Sequence, residues 1–267
     1  MKINYRILIL WGLSLITFPG LCSAEPSTLF SQAEVSQSLM QLDEEIQDSE
    51  GVISPEPSKL EESMDTIADP LEPINRVFFH VNDKFYFWVL KPVASGYKAV
   101  VPQDARVGVR NFFSNVSTPI RMVNCLLQAN FKGTGTEAAR FLLNTTFGLA
   151  GLLDPAKKEF NMEKQDEDFG LTLGFWGMGP TFYIEWPILG PSSLRDTIGF
   201  IGDLFLHPRT YLITSIPVSV AVWSHEQIND TSLRIGEYED LKKAAIDPYV
   251  AVKDAYHQYR QNKIRKK

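Results

Sequence analysis

The sequence predicts an all-α protein, a single helical domain of many short helices that follows a disordered acidic leader. Three observations support this prediction. From Asp69 onward, apolar residues recur at helical spacing between prolines and glycines. Before Asp69 the chain is poor in aromatic residues and rich in acids, a composition that cannot build a packed core. The longest apolar run of the body, Tyr211–Trp223, is shorter than the roughly 20 residues that a membrane span needs.

Residues 1–24 have the pattern of an export signal, with two basic residues before the apolar stretch Ile7–Leu21. Two outcomes stay open for its removal. Cys22 stands where a lipoprotein cysteine would be acylated, and acyl chains would hold the protein on a membrane. Leu21 departs from the Gly or Ala usual before such a cysteine. The small residues at 22 and 24 also suit the ordinary peptidase, which would leave Glu25 as the new N-terminus.

Charge is distributed unevenly between the leader and the body. Residues 25–68 form the predicted disordered linker, and the stretch from Glu25 to Asp69 holds 12 acidic residues and one lysine. Removal of the signal leaves a net charge of −8, of which that stretch contributes −11, so the body carries +3. This balance argues against nucleic acid as a partner of the whole chain and is compatible with a membrane interface of anionic head groups. Residues 69–267 are the predicted helical domain.

Capping residues and prolines predict the helices of the N-terminal half. Pro73 suits the first turn of a helix, and Pro102 precedes the next one, Gln103–Phe113. Thr118 caps a third helix, with proline at its first position. Thr136 is the predicted cap of a fourth, from Glu137 to about Phe147, which ends in the glycine-rich stretch 148–151, and Gly133-Thr134-Gly135 before it is interpreted as a turn between helices.

The C-terminal half is predicted from the same signals. A short helix around Asp166–Leu173 precedes a loop rich in glycine and proline, Gly174–Pro191, in which Tyr183–Trp186 suits an extended conformation. Asp247 is the predicted cap of the last helix. The other predicted helices of this half are Ser192–Leu206, Ser232–Ala245 and Pro248–Lys266.

Residues spaced for catalysis or metal binding are not found in the sequence. The four histidines are far apart and in no metal-binding spacing, and no nucleophile–base motif occurs. We therefore predict no enzyme activity, no cofactor and no metal. Cys125 lies in an apolar helical run and is expected to be a small core residue. The histidines are His80, His207, His225 and His257.

An ordered set of short motifs resembles the MlaA (VacJ) family of outer-membrane phospholipid-asymmetry lipoproteins, over about residues 69–261. Each motif is modest alone, whereas the ordered set is specific. The longest is the stretch from Arg140 to Asp154. The others are Asp69-Pro70-Leu71-Glu72, Asn75-Arg76, Lys91-Pro92-Val93-Ala94, Val101-Pro102, Asn111-Phe112-Phe113-Ser114-Asn115, Val123-Asn124, Leu127-Gln128, Asp168-Phe169-Gly170-Leu171-Thr172-Leu173-Gly174, Leu189-Gly190-Pro191-Ser192, Leu194-Arg195-Asp196 and Asp247-Pro248-Tyr249.

The resemblance implies a ring-like helical protein that lies in the inner leaflet of the outer membrane, at its periplasmic face. It implies removal of mislocalised phospholipids from the outer leaflet through an amphipathic channel. The implied partners are phospholipids, a trimeric outer-membrane porin and a soluble periplasmic carrier that receives the lipid. Two competing readings remain: a lipid-acting enzyme such as a phospholipase, which needs a nucleophile–base pair, and a porin-associated structural adaptor that never touches lipid.

The candidate site residues belong to a gate or to a lipid channel. The family's flexible hairpin usually carries a Gly-Pro-Tyr step before Leu-Pro, whereas this chain reads Thr181-Phe182-Tyr183 and then Trp186-Pro187. We expect the segment 177–190 to be a moving gate, and we expect four polar residues in apolar helical stretches either to line the channel or to tie helices together. The gate candidates are Gly177, Gly179, Tyr183, Pro187 and Gly190, and the polar residues are Asn75, Arg76, Asn111 and Asn144.

Overall fold

The computed structural model describes residues 66–266. The predicted signal, Cys22 and all but the end of the predicted linker lie outside these residues. Within them the chain is helical, with one antiparallel pair of short strands, so the predicted all-α class is confirmed.

The described elements follow one another with short connections. In chain order they are α1 (Glu72–Phe85), a π-helical turn (Tyr86–Leu90), α2 (Lys91–Val100), α3 (Gln103–Val116), α4 (Thr118–Leu127), α5 (Phe131–Thr146), α6 (Pro155–Lys158), α7 (Phe169–Phe175), β1 (Tyr183–Trp186), β2 (Gly190–Ser193), α8 (Leu194–Leu206), α9 (Pro208–Leu212), α10 (Ile216–Leu233), α11 (Glu237–Ala244) and α12 (Pro248–Arg265).

Pro73 lies in the first turn of α1, as predicted, and the helical conformation continues beyond the end of α1. A π-helical turn joins α1 to α2, so the chain stays helical from Glu72 to Val100. Pro92 lies in the first turn of α2 and has no backbone N–H, which disrupts the regular α-helical bonds of the preceding turn. The widened turn lets the helix continue past the proline.

The prediction that Thr136 caps α5 is wrong, and so is the interpretation of residues 133–135 as a turn. The helix begins at Phe131, and the side chain of Asn130 caps it by accepting a hydrogen bond from the Gly133 N–H at 2.8 Å. A Cβ on Gly133 would lie 2.6 Å from the Asn130 amide nitrogen. Glycine at position 133 therefore leaves the space that the capping side chain of Asn130 needs beside the first turn of the helix.

The predicted loop 174–191 contains a hairpin. The extended conformation predicted for Tyr183–Trp186 is confirmed, and these residues form β1. They pair antiparallel with β2, with Tyr183 opposite Ser193 and Trp186 opposite Gly190. The sequence Gly190-Pro191-Ser192-Ser193 has little intrinsic preference for a strand, so β2 depends on its pairing with β1.

The C-terminal region differs from the prediction at two places. Helices α9 and α10 occupy the apolar run around Pro217, and this proline is accommodated in the first turn of α10. The predicted helix Ser232–Ala245 is interrupted at Gly236, whose φ of +116° is incompatible with a continuous helix. The predicted last helix is confirmed as α12, and Asp247 caps it by accepting from the Tyr249 N–H at 3.0 Å.

A small apolar core lies where the first helix, the hairpin and the last helix meet. It consists of Ile67, Phe79, Tyr183 and Tyr249, with Tyr256 packed against it. The rings of Phe79 and Tyr183 each make an edge-to-face contact with Tyr249. This core holds the hairpin between α1 and α12, two helices that are far apart in the sequence.

Candidate functional site

The described residues place polar side chains inside and apolar side chains outside. The buried positions are mostly polar or charged, including the side chains of Asn75, Glu137 and Arg195. Large apolar side chains are exposed along most helices, among them Trp88 and Phe147, each at 74%. Single exposed apolar side chains are common on proteins in water, whereas a contiguous exposed apolar surface indicates contact with lipid or another protein.

One exposed apolar stripe follows the outer face of α1 and α2. Ile74, Val77 and Val81 are exposed at intervals of three and four residues, and Trp88 and Val93 continue the series. This spacing puts α1's members of the series on one helix face. An amphipathic helix with such a face lies in the plane of a membrane interface rather than across the membrane.

A second exposed apolar surface is formed by the segment from the end of α8 to the first turns of α10. Phe205 is 68% exposed, Tyr211 65% and Leu212 78%, and Ile216 and Val218 extend the surface. The Tyr211 hydroxyl donates to the Phe205 carbonyl at 2.7 Å, which fixes the short helix α9 against α8. No described helix is both long enough and apolar enough to cross a membrane.

Two asparagines of α1 attach the hairpin to that helix. Asn75 and Asn82 are seven residues apart, which is about two turns, so both side chains leave the same face. The Asn75 amide donates to the Tyr183 carbonyl at 3.2 Å, and its oxygen accepts from the Glu185 N–H at 2.9 Å. Asn75 therefore pairs with β1 as a neighbouring strand would.

Asn82 acts on the turn of the hairpin. Its amide nitrogen donates to Glu185 Oε1 at 2.7 Å and to the Trp186 carbonyl at 2.9 Å. Its oxygen accepts from the Ile188 N–H at 2.5 Å. One side chain thus binds both the end of β1 and the turn that follows it.

The backbone of the hairpin and of the segment that leads to it adopts several left-handed conformations. Gly177 has a φ of +90° and Gly190 one of +83°, which glycine tolerates without cost from a Cβ. Thr181 and Ile188 have φ values of +68° and +66°, although both are β-branched. Such conformations are unfavourable for β-branched residues and persist only when surrounding contacts impose them. The backbone is therefore strained at Thr181, just before the hairpin, and at Ile188 in its turn.

Glu185 is a buried acid in the centre of this arrangement. It is 2% exposed, and the Tyr183 hydroxyl donates to its Oε2. Burial raises the pKa of Glu185 to about 7, against the opposing effect of the hydrogen bonds from Tyr183 and Asn82. The carboxyl group is therefore partly protonated near neutral pH.

Asp69 connects the first motif of the body to the last helix. The Tyr249 hydroxyl donates to Asp69 Oδ2, and the Asn75 amide donates to Oδ1 at 2.8 Å. The Arg76 guanidinium lies 4.5 Å from the centre of the Tyr249 ring and pairs with Asp247 at 2.9 Å. These contacts join the start of α1 to the start of α12 beside the hairpin.

A buried ion network lies beneath β2. Arg260 binds Asp168 at 2.9 Å through Nη2 and Asp196 at 2.7 Å, and the Tyr256 hydroxyl also donates to Asp196. Burial alone would raise the pKa of Asp196, but Arg260 and Arg195 hold it far below its usual range. The network is charged at neutral pH and connects α7, α8 and α12.

The predicted site residues fall into two groups. Asn75, Arg76, Tyr183, Pro187 and Gly190 lie in or next to the hairpin. Gly177 and Gly179 lie on the segment that leads to it, and an added Cβ would meet no atom within 4 Å at either of them or at Gly190.

Asn111 and Asn144 lie apart from the hairpin. The Asn144 amide donates to Asp154 at 2.9 Å and its oxygen accepts from the Ala156 N–H at 3.1 Å. Asn111 donates to the Leu152 carbonyl at 3.3 Å. Both amides tie helices to the segment that precedes α6, while their position relative to a lipid path stays a prediction.

Sequence reasoning missed Asn82 and Glu185. The seven-residue interval from Asn75 to Asn82 was a usable signal for a shared helix face. Nothing local indicated that both face a hairpin more than 100 residues later. Within residues 66–266, no three His, Cys, Asp or Glu side chains are grouped so that they could hold a metal ion.

Comparison with known proteins gives concordant results. Residues 67–263 match the MlaA lipoprotein family. The intermembrane phospholipid transport system lipoprotein MlaA of Escherichia coli (strain K12) is 34% identical over 194 residues, which cover 72% of this chain and 76% of that protein. An uncharacterized protein of Rickettsia felis is 35% identical over 199 residues, covering 74% and 78%.

A solved chain shows the same relationship in three dimensions. This solved chain comes from work on the structural basis for maintenance of bacterial outer membrane lipid asymmetry. It matches with a TM-score of 0.66 and 32% identity, over 74% of this chain and 99% of the solved one.

Proposed function

This chain belongs to the MlaA lipoprotein family, and from that premise we propose that it is the outer-membrane component of a phospholipid transport system. The resemblance predicted from the sequence motifs is thereby confirmed. In the proposed function, the protein removes mislocalised phospholipids from the outer leaflet and passes them to a periplasmic carrier, which maintains the lipid asymmetry of the outer membrane. It performs no chemical conversion.

The observation that carries this proposal is the combination of exposed apolar helix faces with a polar, charged interior. Apolar burial is worth roughly 25 cal/mol per Å², so these faces favour contact with acyl chains over contact with water. A charged head group, in contrast, needs polar partners once it leaves water. A path between leaflets must supply both environments, and this chain carries both.

The proposed location is the periplasmic face of the outer membrane, after export by residues 1–24. An acyl group on Cys22 would add an anchor, and the apolar faces of α1, α2 and the α8–α10 segment would hold the domain in the inner leaflet. A porin trimer is the proposed neighbour in the membrane. The domain boundaries 25–68 and 69–267 belong to the same proposal.

The hairpin is the proposed gate. Gly177, Gly179 and Gly190 have room around them and two have left-handed φ values, so the segment can bend at these points. Tyr183 and Pro187 belong to the part that would move. Asn75 and Arg76 hold the base of the hairpin, and Asn111 and Asn144 are proposed to support the wall of the path.

The proposal is tested on the full chain, exported in a Gram-negative host and purified in mild detergent. Phospholipid bound to the protein is identified by mass spectrometry, and the resistance of the cells to SDS plus EDTA reports outer-membrane asymmetry in a host that lacks its own family member. Near-stoichiometric phospholipid and restored resistance are expected. A variant with Gly179→Trp should lose both and remain folded, whereas Gly96→Trp, at an equally open helical position, should lose neither.

Two results would contradict the proposal. A lipid-free protein that still copurifies with a porin would identify a structural adaptor. Hydrolysed phospholipid in the preparation would identify a lipid-acting enzyme.

A further inference from the structure

The exposed face of α1 has the residue spacing of a contact between two parallel-running helices. We name this face the α1 stripe; its members are Ile74, Val77, Val81, Lys84 and Trp88. They follow one another at alternating intervals of three and four residues, and the apolar members are between 47% and 74% exposed. This alternation is the pattern by which one helix packs along another. The described chain therefore presents one half of a two-helix contact.

The α1 stripe faces away from the hairpin. Asn75 and Asn82 bind the hairpin, and Phe79 belongs to the apolar core. At 3.6 residues per turn, these three residues lie on the other side of α1 from the stripe. A segment that docks on the stripe would therefore leave the contacts between α1 and the hairpin in place.

The leader contains a segment with the matching spacing. Val35, Leu39, Leu42 and Ile46 recur at intervals of four, three and four residues, which predicts an amphipathic helix. This helix is a prediction from sequence, since residues 35–46 lie outside the described part of the chain. Its apolar face and the α1 stripe share the alternation that packs two helices side by side.

Charge favours the leader as the partner of the α1 stripe. Residues 34–50 hold six acidic residues and neither lysine nor arginine. The stripe itself carries the exposed Lys84, whose ammonium lies 5.7 Å from the centre of the Trp88 ring. A second copy of α1 would bring another lysine to this contact, whereas the leader brings carboxylates. The net charges, −11 for the leader and +3 for the body, attract each other in the same sense.

The connection between the two segments is long enough for this contact. Ile67 lies in the core beside Phe79, and the Ala68 carbonyl accepts from the Tyr183 N–H at 2.8 Å, so the leader joins the body on the inner side of α1. Residues 47–66 span up to about 65 Å when they are extended. With its 14 residues α1 is about 20 Å long and about 10 Å across, so the connection reaches around it.

We propose that residues 35–46 dock as a helix along the α1 stripe while the exported chain is in water, and that phospholipid replaces them when the domain enters the membrane. An open apolar stripe promotes aggregation, and a tethered segment covers it at an effective concentration in the millimolar range. In the membrane, acyl chains take over the apolar contacts and anionic head groups repel the acidic leader. The replacement step rests on the proposed function, whereas docking in water does not.

The alkylation rate of a cysteine in the α1 stripe measures whether the stripe is covered. The full chain with Val81→Cys is purified in detergent, diluted below the critical micelle concentration and treated with a water-soluble maleimide. Peptide mass mapping separates the label on residue 81 from any on Cys22 or Cys125. We expect alkylation about tenfold slower than in a chain whose leader cannot dock, because a millimolar effective concentration largely saturates a contact with a Kd of about 0.1 mM.

Two leader variants supply the comparison at that same cysteine. Leu39→Asp with Leu42→Asp places charge on the apolar face and should speed the alkylation of residue 81 about tenfold. Gln37→Asp with Gln41→Asp adds the same charge to the other face and should keep the slow rate. Equal rates with the natural leader and with both variants would overturn the inference.

A cysteine elsewhere on the body controls for general effects of the leader. Leu212→Cys lies at an exposed apolar position on α9, and neither leader variant should change its alkylation rate. Lys84→Glu should speed the alkylation of residue 81 severalfold through repulsion of the acidic leader, whereas Lys132→Glu, at an exposed position on α5, should not. Protection of residue 81 that rises with protein concentration and ignores the leader would identify a second copy as the occupant and overturn the inference.

Vesicles of phosphatidylethanolamine and phosphatidylglycerol test the replacement step. A short bismaleimide should join Leu42→Cys to Val81→Cys in water, and added vesicles should abolish this crosslink. A crosslink that persists on the vesicles would overturn the replacement, and protection of residue 81 that appears only with vesicles would overturn docking and leave lipid as the occupant. A natural chain that purifies without phospholipid, yet keeps leader-dependent protection, would contradict the proposed function and leave docking standing.

Discussion

The side-chain oxygen of Asn82 accepts a hydrogen bond from the backbone N–H of Ile188, a residue held at a φ of +66°. The first residue is on α1 and the second is in the turn between β1 and β2. A β-branched residue at this φ is unfavourable by about 1–3 kcal/mol, so the turn keeps this form because neighbouring groups impose it. Asn82 is the side chain that bonds the N–H of Ile188 in this turn, while Asn75 holds the start of β1, so the strained turn depends mainly on one amide.

Removal of the Asn82 amide should loosen the hairpin. Asn82→Ala deletes the hydrogen bonds to Glu185, Trp186 and Ile188. We expect a loss of about 1–3 kcal/mol in the local stability of residues 183–193, which corresponds to about 5- to 150-fold faster amide hydrogen exchange there. The control is Asn262→Ala on α12, an exposed position, and unchanged exchange of the hairpin in Asn82→Ala would contradict the assignment.

Relief of the backbone strain should act in the opposite direction. Ile188→Gly places glycine at the left-handed φ, and because Ile188 is 49% exposed, little apolar burial is lost. We expect the free energy of unfolding to rise by about 0.5–1 kcal/mol, measured by chemical denaturation. Ile246 is fully exposed and is not at a positive φ, so Ile246→Gly should be neutral or destabilising. Equal effects of the two substitutions would exclude strain at Ile188.

Glu185 should make the stability depend on pH near neutrality. Burial raises its pKa in the folded protein from 4.5 to about 7. Because the folded value lies above the unfolded one, the folded state binds the extra proton. The contribution of neutral Glu185 is complete below about pH 4.5 and is lost as the pH rises through 7. A shift of this size corresponds to at most about 3 kcal/mol.

The measurement for Glu185 is the difference between Glu185→Gln and the natural chain. The variant should unfold at a higher temperature than the natural chain at pH 8 and at nearly the same temperature at pH 4.5. Asp203, whose pKa burial raises to about 8, titrates in the same direction in both proteins and cancels in the difference. A pH profile that is the same for the two proteins would show that Glu185 ionises as it does in water.

The sequence predicts the end of a helix well where a capping side chain accepts hydrogen bonds from the backbone N–H groups of the adjacent first turn. Asp247 caps α12 through the N–H groups of the next residues, and this is readable from Asp-Pro alone. Thr136 looked like an equally good cap, yet Asn130 begins α5 six residues earlier. The misleading signal was the pair of glycines between them. Position 133 must be glycine because a Cβ there would collide with the Asn130 side chain. In a sequence pattern, however, glycine usually indicates a break between helices.

The site could be predicted only in part for a related reason. Tyr183, Pro187 and Gly190 were found because the hairpin is contiguous in the sequence. Asn82 and Glu185 act through contacts across more than 100 residues, and no local pattern encodes such a pairing. β2 was missed because its residues become a strand only by pairing with β1 and packing beside α12. These features depend on tertiary contact rather than on intrinsic preference.

The crossing of α7 and α8 should tolerate no side chain at Gly199. A Cβ there would lie 2.3 Å from the Gly170 nitrogen and 2.4 Å from its Cα, and these are backbone atoms that cannot rotate away. Gly199→Ala must separate two helices that also carry the buried Asp168, Arg195 and Asp196. We expect a loss of about 1–3 kcal/mol in the free energy of unfolding.

Gly96→Ala is the matched control for this prediction. Gly96 is an exposed residue inside α2, and an added Cβ would meet no atom within 4 Å. Alanine is the better helix former, so this variant should gain about 0.5–1 kcal/mol. Both free energies come from denaturant unfolding of the full chain in the same detergent. A loss of stability in Gly199→Ala with a gain in Gly96→Ala would show that the close approach of α7 to α8 causes the loss. A gain of stability in both variants would mean that the two helices separate without cost.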